Sequence, residues 1–142
     1  MMARIRTDMN RNAREEEYLR RLDGKVIQAV RRSANLVRNE AVQSINRQTS
    51  SGRVYDKYNP RRTHTASIEG NPPNTDTGNL VRNIAPEFED GGRTGFVVSK
   101  AIYSKFLEFG TRYMAERPFL QPALEKAKDQ INAIFRRLVR GA

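Results

Sequence analysis

The sequence predicts an α+β fold in which a long N-terminal helix and a C-terminal helix pack on a small antiparallel β-sheet, with a long central loop. Three observations carry that expectation. Stretches near both ends repeat apolar residues at helical spacing, a short segment between them alternates around a glycine turn, and residues 49–79 show neither period. The chain has 142 residues, which suits a single domain spanning 1–142 and leaves no room for two.

The first helix is expected from about Arg14 to Ser44. Val26, Val30, Ala34, Val37, Ala41 and Ile45 recur every three or four residues and define one face. Leu19 and Leu22 extend this stripe backwards, and Gly24 is a place where the helix can weaken or bend. Arg31, Arg32, Arg38 and Glu40 occupy the opposite face.

From Thr49 to Asn79 the sequence is rich in Ser, Thr, Asn, Gly and Pro, with breakers at Asn59-Pro60, Gly70-Asn71-Pro72-Pro73 and Thr77-Gly78. A loop of that length in a small domain is generally functional or ordered by a partner, so 49–79 is expected to be an extended arm. Residues 80–100 read as a β-hairpin. Ile84 and Phe88 alternate with polar neighbours, Asp90-Gly91-Gly92 turns the chain, and Phe96-Val97-Val98 begins the return. Pro86 has no N–H for a ladder, which places its strand at an edge or bulge. A short helix or turn over 102–107 ends at Gly110. The last helix runs from about Pro118 to Val139, with Leu120, Leu124, Ala127, Ile131, Ile134 and Leu138 as its stripe. Pro118 fits a first helical turn, and Pro122, one turn later, blurs the start.

The net charge of +10 is unevenly spread: +5 over residues 1–48, +1 over 49–76, 0 over 77–116 and +4 over 117–142. The excess lies on the two helical ends, where it would attract nucleic acid, anionic lipid or an acidic protein face. There is no cysteine, which excludes disulfides and thiolate metal sites. Neither a signal-peptide run nor a stretch of roughly 20 apolar residues is present, so a soluble protein without an export signal or membrane partner is expected.

The materials of catalysis are sparse. His64 is the only histidine and reads as an exposed loop residue. Glu87, Glu89 and Asp90 flank a turn, where solvated charge is routine. The glycines at 91, 92 and 95 lack the Lys-Ser/Thr ending of a phosphate loop. No enzyme, no cofactor and no metal site is expected. The loop is more suggestive, because Tyr55, Lys57, Tyr58, Arg61 and Arg62 interleave aromatic and basic groups as a nucleic-acid surface would. Arg136, Arg137 and Arg140 form a second basic cluster that also complements the dipole of the last helix.

One longer pattern is more specific. Tyr103-Ser104-Lys105-Phe106-Leu107-Glu108-Phe109-Gly110-Thr111, followed by Arg117-Pro118-Phe119-Leu120-Gln121-Pro122-Ala123-Leu124, resembles the signature of the tail-completion or head–tail joining family of long-tailed phages. Minor tail protein Z of lambda-like phages is related to that group. Gly52-Arg53-Val54-Tyr55, His64, Ala66-Ser67, Gly70, Pro72-Pro73, Thr77-Gly78 and Leu80 resemble the central segment of the same family, in the same order. The resemblance spans residues 50–125. It departs at Glu116, where a small residue is usual, and at Asn71, where an acidic one is common.

That resemblance implies a virion protein of the neck or tail, assembled in the host cytoplasm. Copies of the chain would close into a ring, six-fold to match the tail in preference to twelve-fold to match the portal. The connector or stopper, the tail terminator and the genomic DNA in the channel would be its partners. The alternative is a basic nucleic-acid-binding protein acting outside a virion. Within the signature, Glu108 and Arg117 are expected to form a charge-assisted pair that fixes the angle of the last helix. Gly110 can take positive φ, and Phe119 and Leu120 anchor that helix on the sheet. Thr77, Gly78, Leu80, Thr111, Pro118 and Pro122 complete the structural set. Arg53, Tyr55, Tyr58, Arg61, Arg62 and His64 would meet a neighbouring subunit or partner, and Arg136, Arg137 and Arg140 the DNA.

Overall fold

The computed structural model describes residues 2–141, with side chains described from residue 13 onward. Helix α1 (Met2–Asn46) overruns the stretch its apolar stripe marks. Along that stripe Ala34, Val37, Ala41 and Ile45 are buried, with Val26 and Val30 half-buried. Residues 13–21 are exposed on every side, so helical periodicity did not mark them; Glu17 and Arg21 pair there one turn apart. Leu19, expected to continue the stripe, is instead exposed. Gly24 lies inside an uninterrupted helix.

The cause of Leu19's exposure is the length of the partner helix, α4 (Leu120–Arg140). Lys25 donates to the carbonyl of Gly141 at 2.8 Å, and Lys126 meets Glu40 at 3.2 Å. These two contacts fix an antiparallel pair in which α4 ends beside Lys25, so the preceding turns of α1 have nothing from α4 to pack on. Within α4 the fully buried positions are Ala123 and Ala127, small residues that admit a close helix approach, while Leu124 of the expected stripe is exposed.

Between the two helices the chain is α+β, with two separate antiparallel ribbons. Strands β1 (Val54–Tyr58) and β2 (Arg61–Thr65) turn at Asn59-Pro60, with Tyr58 opposite Arg61 and Tyr55 opposite His64. This ribbon lies in the segment expected to be without regular structure. It escaped notice because its residues are exposed on both faces except at Lys57, His64 and Thr65, and a strand without a buried face has no apolar alternation to read. A one-turn helix, α2 (Asn79–Arg82), precedes the second ribbon. There β3 (Ile84–Glu89) and β4 (Thr94–Ser99) pair as expected around the Asp90–Gly92 turn, with Pro86 opposite Val97. In a two-stranded ribbon each strand is an edge, so Pro86 interrupts no second ladder.

The second ribbon packs on α1, and Arg93 at its turn holds Asp23 of α1 through two bonds of 2.7 and 2.9 Å. Phe88 points outward, under the guanidinium of Arg31 at 5.9 Å. Helix α1 thus lies between ribbon and α4. Its C-terminal half shares a core with Leu80, Ile84, Ala101, Phe119, Ala123 and Ala127. Helix α3 (Ser104–Phe109) ends at Gly110.

Candidate functional site

The signature segment folds into a compact brace around the start of α4. A helix leaves its first four N–H groups without intrahelical partners. Here the Glu108 carboxylate, presented by α3, accepts three of them: Phe119 N at 2.9 Å and Leu120 N at 3.1 Å through Oε2, and Gln121 N at 2.9 Å through Oε1. The fourth position is Pro122, which has no N–H. The helix therefore starts at Leu120 and not at Pro118, and Pro122 is the proline in its first turn. A carboxylate at this end also complements the helix dipole.

Glu108 consequently does not pair with Arg117. Among the described residues no carboxylate lies within ion-pair distance of Arg117, whose backbone N–H donates to Leu107 O at 2.6 Å. The expected charge pair is replaced by a side chain that caps a backbone. The turn between them requires its glycine. Gly110 sits at φ 69°, and a Cβ there would meet Met114 O at 2.8 Å and Glu116 N at 2.9 Å. Thr111 N bonds Met114 O, and its Oγ1 accepts Tyr113 N at 3.2 Å. Phe119, fully buried, closes the core.

The central segment supplies a second cluster at the foot of the first ribbon. Asp76 receives Lys57, Arg62 at 3.1 Å and His64 Nδ1 at 3.5 Å. Asn74 donates to Thr65 O at 2.6 Å and to Ser50 Oγ at 2.7 Å. Gly52 lies so close that a Cβ would overlap the Ser67 carbonyl, and its N–H bonds Ala66 O at 2.8 Å. Thr77 Oγ1 accepts Asn79 N at 3.4 Å, Gly78 takes φ 72° before α2, and Leu80 is buried. Of the loop residues expected to face a partner, Arg62 and His64 are thus engaged by Asp76, His64 half-buried and Arg62 still exposed. Tyr55, Tyr58 and Arg61 stay exposed, and Arg53 lies over the Tyr55 ring at 5.6 Å.

The hydrogen bond from Lys57 above all, aided by the charges of His64, Lys57 and Arg62 and opposed by desolvation, holds the Asp76 carboxyl below its ordinary value. A carboxylate depressed on folding stabilises fully above its unfolded pKa and loses that contribution as pH falls through the folded one. Amide protection in β1 and β2 should therefore be weaker in an Asp76→Asn variant at neutral pH. As pH falls below about 4 the native protein should begin to lose that advantage, and it should converge on the variant only once pH has passed below the lowered Asp76 value. Equal protection at neutral pH would show that Asp76 does not hold the ribbon.

Two cavities flank this foot, of about 410 and 720 Å³, and His64, Ala66, Ser67 and Arg117 line both. A third recess of about 610 Å³, largely apolar, opens between α1, β4, α3 and α4, with Phe96, Phe109 and Leu124 exposed around it. On the far side, Lys25, Arg32 and Arg137 line one shallow groove between α1 and α4, and Arg136 and Arg140 are exposed nearby in sequence. The two basic ends of the chain are thereby brought together. Among the described residues no three of His, Asp and Glu gather as metal ligands, and no helix is long and apolar enough to cross a membrane.

Comparison of the chain with family models, curated proteins and solved structures returns no match. Asp76 and Asn74 are the site residues that sequence reading missed. An isolated Asp or Asn in a polar loop carries no signal of its partners.

Proposed function

We propose that this chain is a structural subunit of a phage neck or tail, closing with its own copies into a ring that completes the tail and joins it to the DNA-filled head. The observation that supports this reading is how much of a small chain is left without an internal partner. The first ribbon packs chiefly on itself, residues 13–21 of α1 extend beyond α4, and the apolar recess stands open with aromatic side chains at its rim. Ile102, Tyr113 and Tyr58 are 93%, 90% and 79% exposed. The apolar lining of the recess, with Phe96, Phe109 and Leu124 exposed at it, is the contiguous patch that would serve as an interaction face. The resemblance of residues 103–124 to the joining family supplies the kind of assembly, and its six-fold ring, connector, stopper and terminator contacts and virion location come with it.

Phage lacking the protein should fill heads and build tails yet yield few infectious particles. Normal joining and infection without it would sink the reading. Reversing charge at Arg136, Arg137 and Arg140 should weaken ring packing or DNA retention, and added salt should mask the change because those groups are exposed.

The convergence of Lys25, Arg32 and Arg137 on one groove favours a second reading, a basic nucleic-acid-binding protein acting outside a virion. Steeply salt-dependent DNA affinity of the isolated chain would support it. Ring formation with weak DNA affinity would support the first.

A further inference from the structure

The two cavities at the foot of the first ribbon share a buried and unsatisfied polar wall. Arg117 is only 8% exposed and its Nε has no hydrogen-bond partner in the chain. Ser67 is 1% exposed and its Oγ has none either. Both side chains line both cavities, 410 and 720 Å³ in volume, with His64 beside them. Buried polar groups are almost always paired, and a buried cation without a counter-charge is among the costliest arrangements a fold contains. Two such groups on one wall mark a place where something else supplies the acceptor.

We infer that this recess is an acceptor site for a single carboxylate side chain, Asp or Glu, presented by a neighbouring protein. The guanidinium fork matches a carboxylate in two parallel hydrogen bonds, and the Ser67 hydroxyl adds a third donor. Charge on the walls fits one negative group. In the smaller cavity Asp76 is already held by Lys57, Arg62 and His64, and Arg117 is left over. In the larger, Arg53 and Arg117 face a single acid, Glu69. A phosphodiester is the poorer fit, because its charge sits mid-chain between two sugars and cannot enter a recess end-on as a side chain does. Glu69 is the rival from within the chain, since it lines the larger cavity and, among the described residues, forms no ion pair with Arg117. The inference stands on this pocket and does not depend on the joining role.

The test follows the Arg117 Nε–H resonance in arginine-labelled protein during titration with a capped glutamate. The capped glutamine analogue, inorganic phosphate and a thymidine oligonucleotide serve as comparisons. A saturable shift with glutamate and none with glutamine is expected. Ser67→Ala should weaken that binding about tenfold, the usual effect of one charge-assisted hydrogen bond. Arg117→Met should abolish it while leaving the thermal midpoint equal or higher, because an unpaired buried charge gives way to an apolar chain of similar length. A sharply lowered midpoint in Arg117→Met would make the guanidinium a structural group and overturn the inference. So would non-additive losses from Glu69→Gln and Arg117→Met, which would place Glu69 in the recess. Tighter response to phosphate or the oligonucleotide than to glutamate would transfer the site to nucleic acid.

Discussion

Truncating Phe119 to Ala should unfold the protein at much lower denaturant than any other single change in the core, with a loss of about 3–5 kcal/mol. Phe119 is the largest of the fully buried side chains. It joins elements far apart in sequence, since the cluster around it holds Val37, Ala41 and Ile45 from α1, Ile84 from β3 and Ala123 and Ala127 from α4. Most of these neighbours are small or belong to rigid helices, so they cannot collapse into the space a phenyl ring leaves. A domain of this kind has about 5–15 kcal/mol of total stability, and this one change removes a large part of it. Urea unfolding should show a lower midpoint with an unchanged slope. A shift worth less than about 1 kcal/mol would mean that the core reorganises around the gap.

Such a core was partly legible in advance. The α1 stripe from Ala34 to Ile45 could be read because it has one buried face, which forces an apolar period on the chain, and the β3–β4 hairpin because Asp90-Gly91-Gly92 marks its turn. The first ribbon could not be read in that way. It is fixed by its two-residue turn, by the Gly52–Ala66 backbone bond and by Asp76 gathering three basic side chains. None of these writes a period into the sequence. The α4 stripe holds at Leu120, Ala127, Ile131, Ile134 and Leu138 and fails at Leu124, which is exposed while the smaller Ala123 beside it is buried. In a close helix pair the smallest residue is the one that touches, and ranking by hydrophobicity hides it.

The signature turn shows a different limit. A Glu and an Arg separated by eight residues around a glycine suggest a charge pair, and spacing alone cannot distinguish that from a capping carboxylate. The two roles differ in what removal of each group does. Glu108→Ala should cost about 2–4 kcal/mol, because it strands the N–H groups of Phe119, Leu120 and Gln121, the first of them wholly buried, and removes a negative charge from the helix N-terminus. Glu108→Gln should cost less, about 1–2 kcal/mol, since one oxygen still accepts. A double-mutant cycle with Arg117→Met should be additive within about 0.5 kcal/mol. Amide exchange should localise the damage to the first turn of α4, leaving α1 protected. A coupling well above that bound would mean that Glu108 and Arg117 meet after all, and that the carboxylate divides its acceptors between the helix and the guanidinium.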